Sequence, residues 1–414
     1  MPPESLNPGL NPYDQRSAVW DLGEAVLEPV MVRALATLLV PEEKNSTAPF
    51  FSDSARELIF AVTLGLNKAA GINWSFRDLL CALDSRRHIF GVAANSERAR
   101  LVTEGILNDS KHSDGVLATL ATKIGRYEQV AALWHSNPKA RKFSIKKFLS
   151  EPGVLVLGND PVLRDSFWPI NSIMLKAIAN EVLRQPNTFQ PRYWFLLDEF
   201  RAMERVDCIH DLINRGRSKG VSVTLGIQGV EGLMDLYREH NADDILSQCA
   251  TKMFLRAGGP KTAEWAANYF NKVRQHEDVV TETTGREGDS KSTQHTVHDR
   301  PLFLASYFLN LPLPGTDKPY KAVCDVPCLN SVIIVQRETN QLLSWCHQPV
   351  EQDVPSLIPR NNPADQIVKP WAAVEERRFC VPPLDDSAGG PKGKPAGTPS
   401  TKPILPPRFD PGEA

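Results

Sequence analysis

"RYWFLLDEFRAME", residues 192 to 204, decides the fold. Tyr193 to Leu197 run without polar alternation into an acidic pair, Asp198 and Glu199. A strand that is apolar on both faces belongs to a parallel sheet covered by helices on each side. The carboxyl end of such a strand is where open α/β sheets bind ligands. A carboxylate at that edge holds the water shell of Mg2+, and a neighbour polarises an attacking water, which is the acidic half of an ATPase site. Asp and Glu after a strand also serve as plain complements to a helix N-terminus.

Three more short apolar runs accompany it: "GVLVLG" (153 to 158), "VSVTLGI" (221 to 227) and "KMFLR" (252 to 256). Amphipathic helical patterns over about 170–183, 207–218, 229–238 and 262–270 are long enough for crossovers between parallel strands. From residue 143 onward the pattern therefore predicts a doubly wound, mostly parallel α/β domain. Residues 51 to 135 read differently, as helices throughout and no strand. There Ser54 and Glu57 fit a capping box, and Ser75 fits the cap of the helix in "GINWSFRDLLCAL". One helix is expected over about 22–39. Residues 279 to 300 carry almost no apolar content and read as a long exposed loop, and "NSVIIVQRETNQLLSW" reads as a β-hairpin turning at 338–340. Beyond 381 the chain is Pro-rich and is expected to be disordered.

Composition narrows the class. Over 414 residues the chain is 42% hydrophobic and 23% charged, with a net charge of -2, so any nucleic-acid surface must be local. Its seven scattered cysteines fit a reducing compartment. Cys324 and Cys328 have no second pair at ligand spacing, and no direct protein cage for a metal is expected. The opening "MPPESLNPGLNPYDQ" lacks the basic and apolar regions of a signal peptide, and no apolar stretch approaches the roughly 20 residues of a membrane helix.

Two features strengthen the ATPase reading. "NRGRSKGVS" ends a helix with Arg215, Arg217 and Lys219 and breaks it at Gly220. "VTLGIQG" then ends the next strand with Gln228, which both donates and accepts. Each alone is ordinary, as a dipole complement or a polar strand end. At successive strand ends they form a constellation with Asp198 and Glu199. The phosphate half is missing, because no G-x-x-x-x-G-K-[ST] loop occurs. "GGPKT" (258 to 262) puts Pro260 where a backbone donor is wanted and follows the fourth run instead of the first. "GGPKGKP" lies in the tail.

The run "FLLDEF…NRGRSKGVSVTLGIQGVEGLMDLY…ILSQCATKMFLRAGGPKTAEWAANYF", with "NPYDQRSAVWDL" and the helical block, resembles type IV secretion coupling proteins, the TraD/TraG-like, FtsK/HerA-related ATPases of conjugation. The likeness covers about residues 11 to 275. It implies a RecA-like P-loop NTPase motor fold with an all-α inserted domain. The divisions would be 1–50 (N-terminal part of the nucleotide-binding domain), 51–142 (all-α domain), 143–345 (motor domain with Walker B), 346–380 (C-terminal extension) and 381–414 (tail). By the same resemblance Asp198 serves Mg2+ through water, Glu199 activates water, Arg217 is an arginine finger acting on a neighbouring subunit, and Gln228 senses phosphate. Arg256 is a weaker candidate for a subunit-interface contact near the nucleotide. ATP and Mg2+ are the implied cofactors.

A homo-hexameric ring acting on single-stranded DNA is implied as well, with relaxosome and secretion-channel proteins as partners at the cytoplasmic face of the bacterial inner membrane. Two basic clusters suit phosphate contacts: Arg86, Arg87 and His88, and Lys139, Arg141, Lys142, Lys146 and Lys147. Trp134, His135 and Phe143 near the second cluster suit base stacking. Solvated helix faces and core aromatics explain the same residues. Family members begin with membrane helices and a phosphate loop, so loss of an N-terminal part is the expectation that accounts for both gaps. The competing readings are a non-catalytic DNA- or partner-binding adaptor and another FtsK/HerA-type translocase.

Overall fold

The computed structural model describes residues 9–20, 22–41, 49–108, 112–137, 140–158, 164–203, 205–206, 208–285, 288–313, 319–329, 331–338 and 358–383. The chain opens with two short strands, β1 (Gly9–Leu10) and β2 (Val19–Trp20), followed by helices α1 (Leu22–Ala25) and α2 (Pro29–Leu39). The single helix expected over 22–39 is thus two. Pro29 lacks the N–H an interior position would donate, and it begins α2 at a position where none is needed.

Six helices make the all-α block: α3 (Pro49–Ala70), α4 (Phe76–Leu83), α5 (Arg86–Ala93), α6 (Glu97–Leu107), α7 (Ser113–Gly125) and α8 (Glu128–His135). No strand interrupts them among the described residues, as the sequence predicts. Ser75 caps α4 in a full capping box, its side chain accepting from the Asp78 N–H while Asp78 accepts from the Ser75 N–H. The capping box expected at Ser54 does not exist, because α3 starts at Pro49 and Ser54 lies buried inside it. Trp134 and Phe143 are core residues, the plainer of the two readings open to them from sequence, with Trp134 edge-on to Trp20 at 6.5 Å.

The chain then returns through β3 (Lys142–Phe143), α9 (Ile145–Ser150), β4 (Val156–Leu157) and α10 (Arg164–Leu183). β2 pairs in parallel with β3, Trp20 opposite Phe143, and β1 pairs in parallel with β4. The two ends of the helical block therefore lie side by side, which is what makes it an insertion. Next come β5 (Tyr193–Leu197), α11 (Cys208–Arg215), β6 (Val221–Leu225), α12 (Val230–Tyr237), α13 (Glu239–Gln248), β7 (Lys252–Phe254) and α14 (Pro260–Tyr269). β5 and β6 pair in parallel from Tyr193 opposite Val221 to Leu197 opposite Leu225.

Burial on both faces of β5 does not hold. Phe195 and Leu197 are buried, whereas Trp194 is 66% and Leu196 72% exposed. Nor does β7 continue a parallel sheet. It pairs antiparallel with β10 (Pro319–Val326), which follows the strands β8 (Lys272–Gly285) and β9 (Gly288–Pro301) and the helix α15 (Ala305–Leu309). β8 and β9 are the segment expected as a loop. They form a 14-residue antiparallel ribbon, Lys272 opposite Pro301 and Gly285 opposite Gly288. Cross-strand backbone bonds pair the N–H and C=O groups of such a segment along its length. Of the expected hairpin, the first half is β11 (Ser331–Glu338), which pairs with the preceding β10, while the turn beyond Glu338 and the second half lie outside the described residues.

The last described stretch, 358–383, is a strap across the all-α block. It lies where the extension 346–380 was expected, and it carries Val381, counted with the tail from sequence, into the main core with Trp371 and Phe379. Arg77, only 3% exposed, donates to the carbonyls of Lys369 and Pro370 (both 2.8 Å) and to Glu375 (2.5 Å). Trp371 Nε1 donates to Asp78 at 2.9 Å. Arg360 reaches the Leu133 carbonyl, and its N–H donates to the Tyr13 carbonyl at 3.0 Å, so the strap also holds the N-terminal segment.

Candidate functional site

The site begins where β5 ends. Asp198 Oδ1 accepts the Glu199 N–H at 3.0 Å, and Glu199 takes up a left-handed backbone, φ 49°. For a residue with a Cβ that conformation is strained, and strain of this kind collects at functional sites. The chain next tightens into a 3-10 turn, Phe200–Met203, whose first N–H donates to the Gly226 carbonyl at 2.8 Å. Gly226 in turn donates to the Leu197 carbonyl at 2.9 Å. A side chain at 226 would displace the Asp198 carboxylate, since an added Cβ would lie 2.6 Å from its Oδ1. The sequence reading passed over this glycine; its place directly after an apolar strand was the available signal.

These bonds bring three of the predicted residues to one edge. Gln228 Nε2 donates to Glu199 Oε1 at 3.4 Å, beside Asp198, and all three side chains are exposed. Arg217 is elsewhere. It lies in the 3-10 turn Gly216–Lys219 that precedes β6, at the opposite end of the strand from Gly226. Gly220 ends that turn at φ 75°, with its Cβ position only 2.3 Å from the Gln190 carbonyl, so the strand must start there. A five-residue strand spans roughly 17 Å. Arg217 thus lies at the far end of the strand from its own chain's acidic pair, exposed to solvent. Arg256 is exposed just beyond β7.

The basic clusters part company. Arg86 donates to the Leu107 carbonyl at 3.0 Å and to Ser113 at 2.7 Å. Arg87 pairs with Glu376 and donates to the Pro382 carbonyl at 2.5 Å, while His88 is buried between the Cys81 carbonyl (2.9 Å) and Glu376 (3.0 Å). These groups are turned to the strap and the helical core. Arg141, Lys142, Lys146 and Lys147 are exposed around the buried Phe143 and Ile145; Lys139 lies outside the described residues.

The tempting "GGPKT" is occupied by the protein itself. Pro260 is the first residue of α14, and Thr262 donates to Glu231 at 2.6 Å and accepts the Val230 N–H at 3.1 Å. The Thr262 hydroxyl, foremost, and backbone donors hold the Glu231 carboxyl below its ordinary pKa, against a smaller opposing effect of burial. Among the described residues, then, the acidic donor set fits Mg2+, whereas this loop does not fit the phosphates of ATP.

A parallel strand pair ending in carboxylates and an amide, with a helical insertion beside it, has the arrangement of the RecA-like P-loop NTPase fold carrying an all-α domain. Solved structures of that fold agree. The unbound monoclinic form of the bacterial conjugative coupling protein TrwBdeltaN70 superposes with a TM-score of 0.61 at 19% identity, covering 80% of this chain and 74% of that one. TrwB in complex with ADP and Mg2+ gives 0.57 at 18% identity over 86% and 76%.

Residues 7–325 match the family described as type IV secretion-system coupling protein DNA-binding domain, and the chain belongs to it. It is similar to coupling protein TraD of Escherichia coli (strain K12), 25% identical over 336 residues, 77% of this chain and 45% of TraD. It is also similar to conjugal transfer protein TraG of Rhizobium radiobacter, 21% identical over 140 residues, 34% of this chain and 22% of TraG. The chain spans less than half the length of these curated relatives. No described helix is long and apolar enough to cross a membrane.

Proposed function

We propose that this chain is the cytoplasmic motor portion of a conjugative coupling protein, which binds DNA and in the intact system couples ATP hydrolysis to DNA transfer. The observation that carries the reading is the convergence of Asp198, Glu199 and Gln228 at one sheet edge with Arg217 at the other end. Asp198 would hold Mg2+ through water, and the ion would neutralise charge on the phosphates when bound. Glu199 accepts a proton from the attacking water, and Gln228 orients that water or a phosphate oxygen. Arg217 serves the site of the next subunit, which requires a ring; a homo-hexamer is the arrangement we favour.

The phosphate-holding loop is then supplied by polypeptide outside these 414 residues. The exposed Trp194 and Leu196, and the outer edge of β6, which pairs with no strand among the described residues, support that assignment, because a parallel sheet is normally covered on both faces. Arg141, Lys142, Lys146 and Lys147 are the exposed DNA contacts we favour, with relaxosome and channel proteins as partners at the inner face of the membrane. The occupied "GGPKT" loop favours one alternative, an adaptor that binds DNA without turning over ATP.

Hydrolysis measured on mixed subunits tests the proposal. The 414-residue chain alone with Mg2+ and ATP is expected to show negligible turnover. Joined to a phosphate-loop segment it is expected to gain turnover that Glu199→Gln and Arg217→Ala each abolish and that a mixture of the two variants partly restores. Robust turnover by the chain alone, lost in Glu199→Gln, overturns the missing-loop argument; DNA binding indifferent to both variants, with no turnover in any form, leaves the adaptor.

A further inference from the structure

We propose that Thr262 and Glu231 are positioning residues that fix Gln228 against Glu199; this rests on reading those two as the water and phosphate side of the site. Helices α12 and α14 both begin at a glycine, Gly229 and Gly259, and neither glycine offers a side-chain cap. Each helix is capped by the other. Thr262, in the first turn of α14, accepts the Val230 N–H that opens α12 at 3.1 Å. Glu231, in the first turn of α12, accepts the Thr262 hydroxyl at 2.6 Å and the Thr262 backbone N–H.

An uncapped helix start leaves its first N–H groups without partners and frays. Gln228 is two residues before Val230, on the short link from β6, so the start of α12 sets where its amide sits. Glu231 also occupies the positive ends of both helices with the negative charge they favour. The closing of "GGPKT" around Glu231 is thus the brace of the residue that faces Glu199, and Lys261 beside it adds to the lowering of the Glu231 carboxyl. Gly229 permits the approach, since a Cβ there would lie 2.8 Å from Glu231 Oε2 and 3.0 Å from Thr262 Oγ1.

Hydrogen exchange on the full chain decides it. Thr262→Val is expected to speed exchange over 226–232 by roughly tenfold or more, with the protected core of α3 unchanged and Thr262→Ser restoring the slow rate. Glu231→Gln, which keeps an acceptor but no charge, is expected to give a smaller increase and serves if Thr262→Val does not fold. Unchanged exchange over 226–232, or a uniform rise along the whole chain, overturns the proposal. With a phosphate loop supplied, Thr262→Val should lower kcat at constant KM. If Gln228→Ala and Glu199→Gln leave turnover intact, it is the site reading that fails, while the exchange result still judges the brace.

Discussion

Glu199 concentrates the local physics of the site. A left-handed conformation costs a residue bearing a Cβ about 1 kcal/mol, and glycine escapes that cost. Calorimetry should therefore find Glu199→Gly more stable than Glu199→Ala by about 1 kcal/mol, although both remove the carboxylate. Equal stabilities would mean that φ at 199 relaxes in solution. Gly226→Ala is expected to act in the opposite sense, costing about 1–3 kcal/mol through overpacking as its methyl meets Asp198. Its magnitude, read from denaturant midpoints, reports how rigidly the two strand ends are held.

At the level of elements, the strap is expected to make the all-α block sensitive to acid. The Arg77 guanidinium, foremost, holds the Glu375 carboxyl low, and that of Arg87 does the same for Glu376, with His88 second. Carboxyls depressed in the folded state contribute stability above their unfolded pKa, near 4.5, and lose it as pH falls through the folded value. Glu375→Gln with Glu376→Gln should flatten the acid limb of the unfolding curve below about pH 4.5; an unchanged limb would assign acid sensitivity elsewhere. Trp371→Ala removes a side chain 7% exposed and is expected to cost about 3–5 kcal/mol. The parallel pair and the Ser75 cap were legible in the sequence, because a continuous apolar run and a Ser-x-x-Asp spacing are local signals. The ribbon, the antiparallel seating of β7 and the strap were not, since each depends on partners far along the chain. Likewise Asp198, Glu199 and Gln228 could be picked out from strand ends, whereas the bracing by Thr262 needs two helices brought together in space.

On the scale of the whole molecule the net charge is only -2, and the DNA contact we propose lies in the exposed patch at 141–147. For single strands each neutralised phosphate contributes about 0.7 to the slope of log affinity against log salt. Replacing Arg141, Lys142, Lys146 and Lys147 by Gln should lower that slope by up to about 2.8 without changing sequence preference. A fluorescence titration with an unchanged slope would remove the patch from consideration. The strap has a consequence in time as well. Arg77 meets Glu375 across 298 residues of sequence, so at about 5–20 residues per second the ribosome delivers the partner on the order of 15–60 s after the arginine. For that interval the helical insertion has its helices but neither Trp371 nor Phe379. The surface these residues cover is then expected to stay open to chaperones and proteases until nearly all of the chain has been made. Stalled nascent chains ending at 357 should therefore be cut within 49–135, and those carrying 383 outside the exit tunnel should resist.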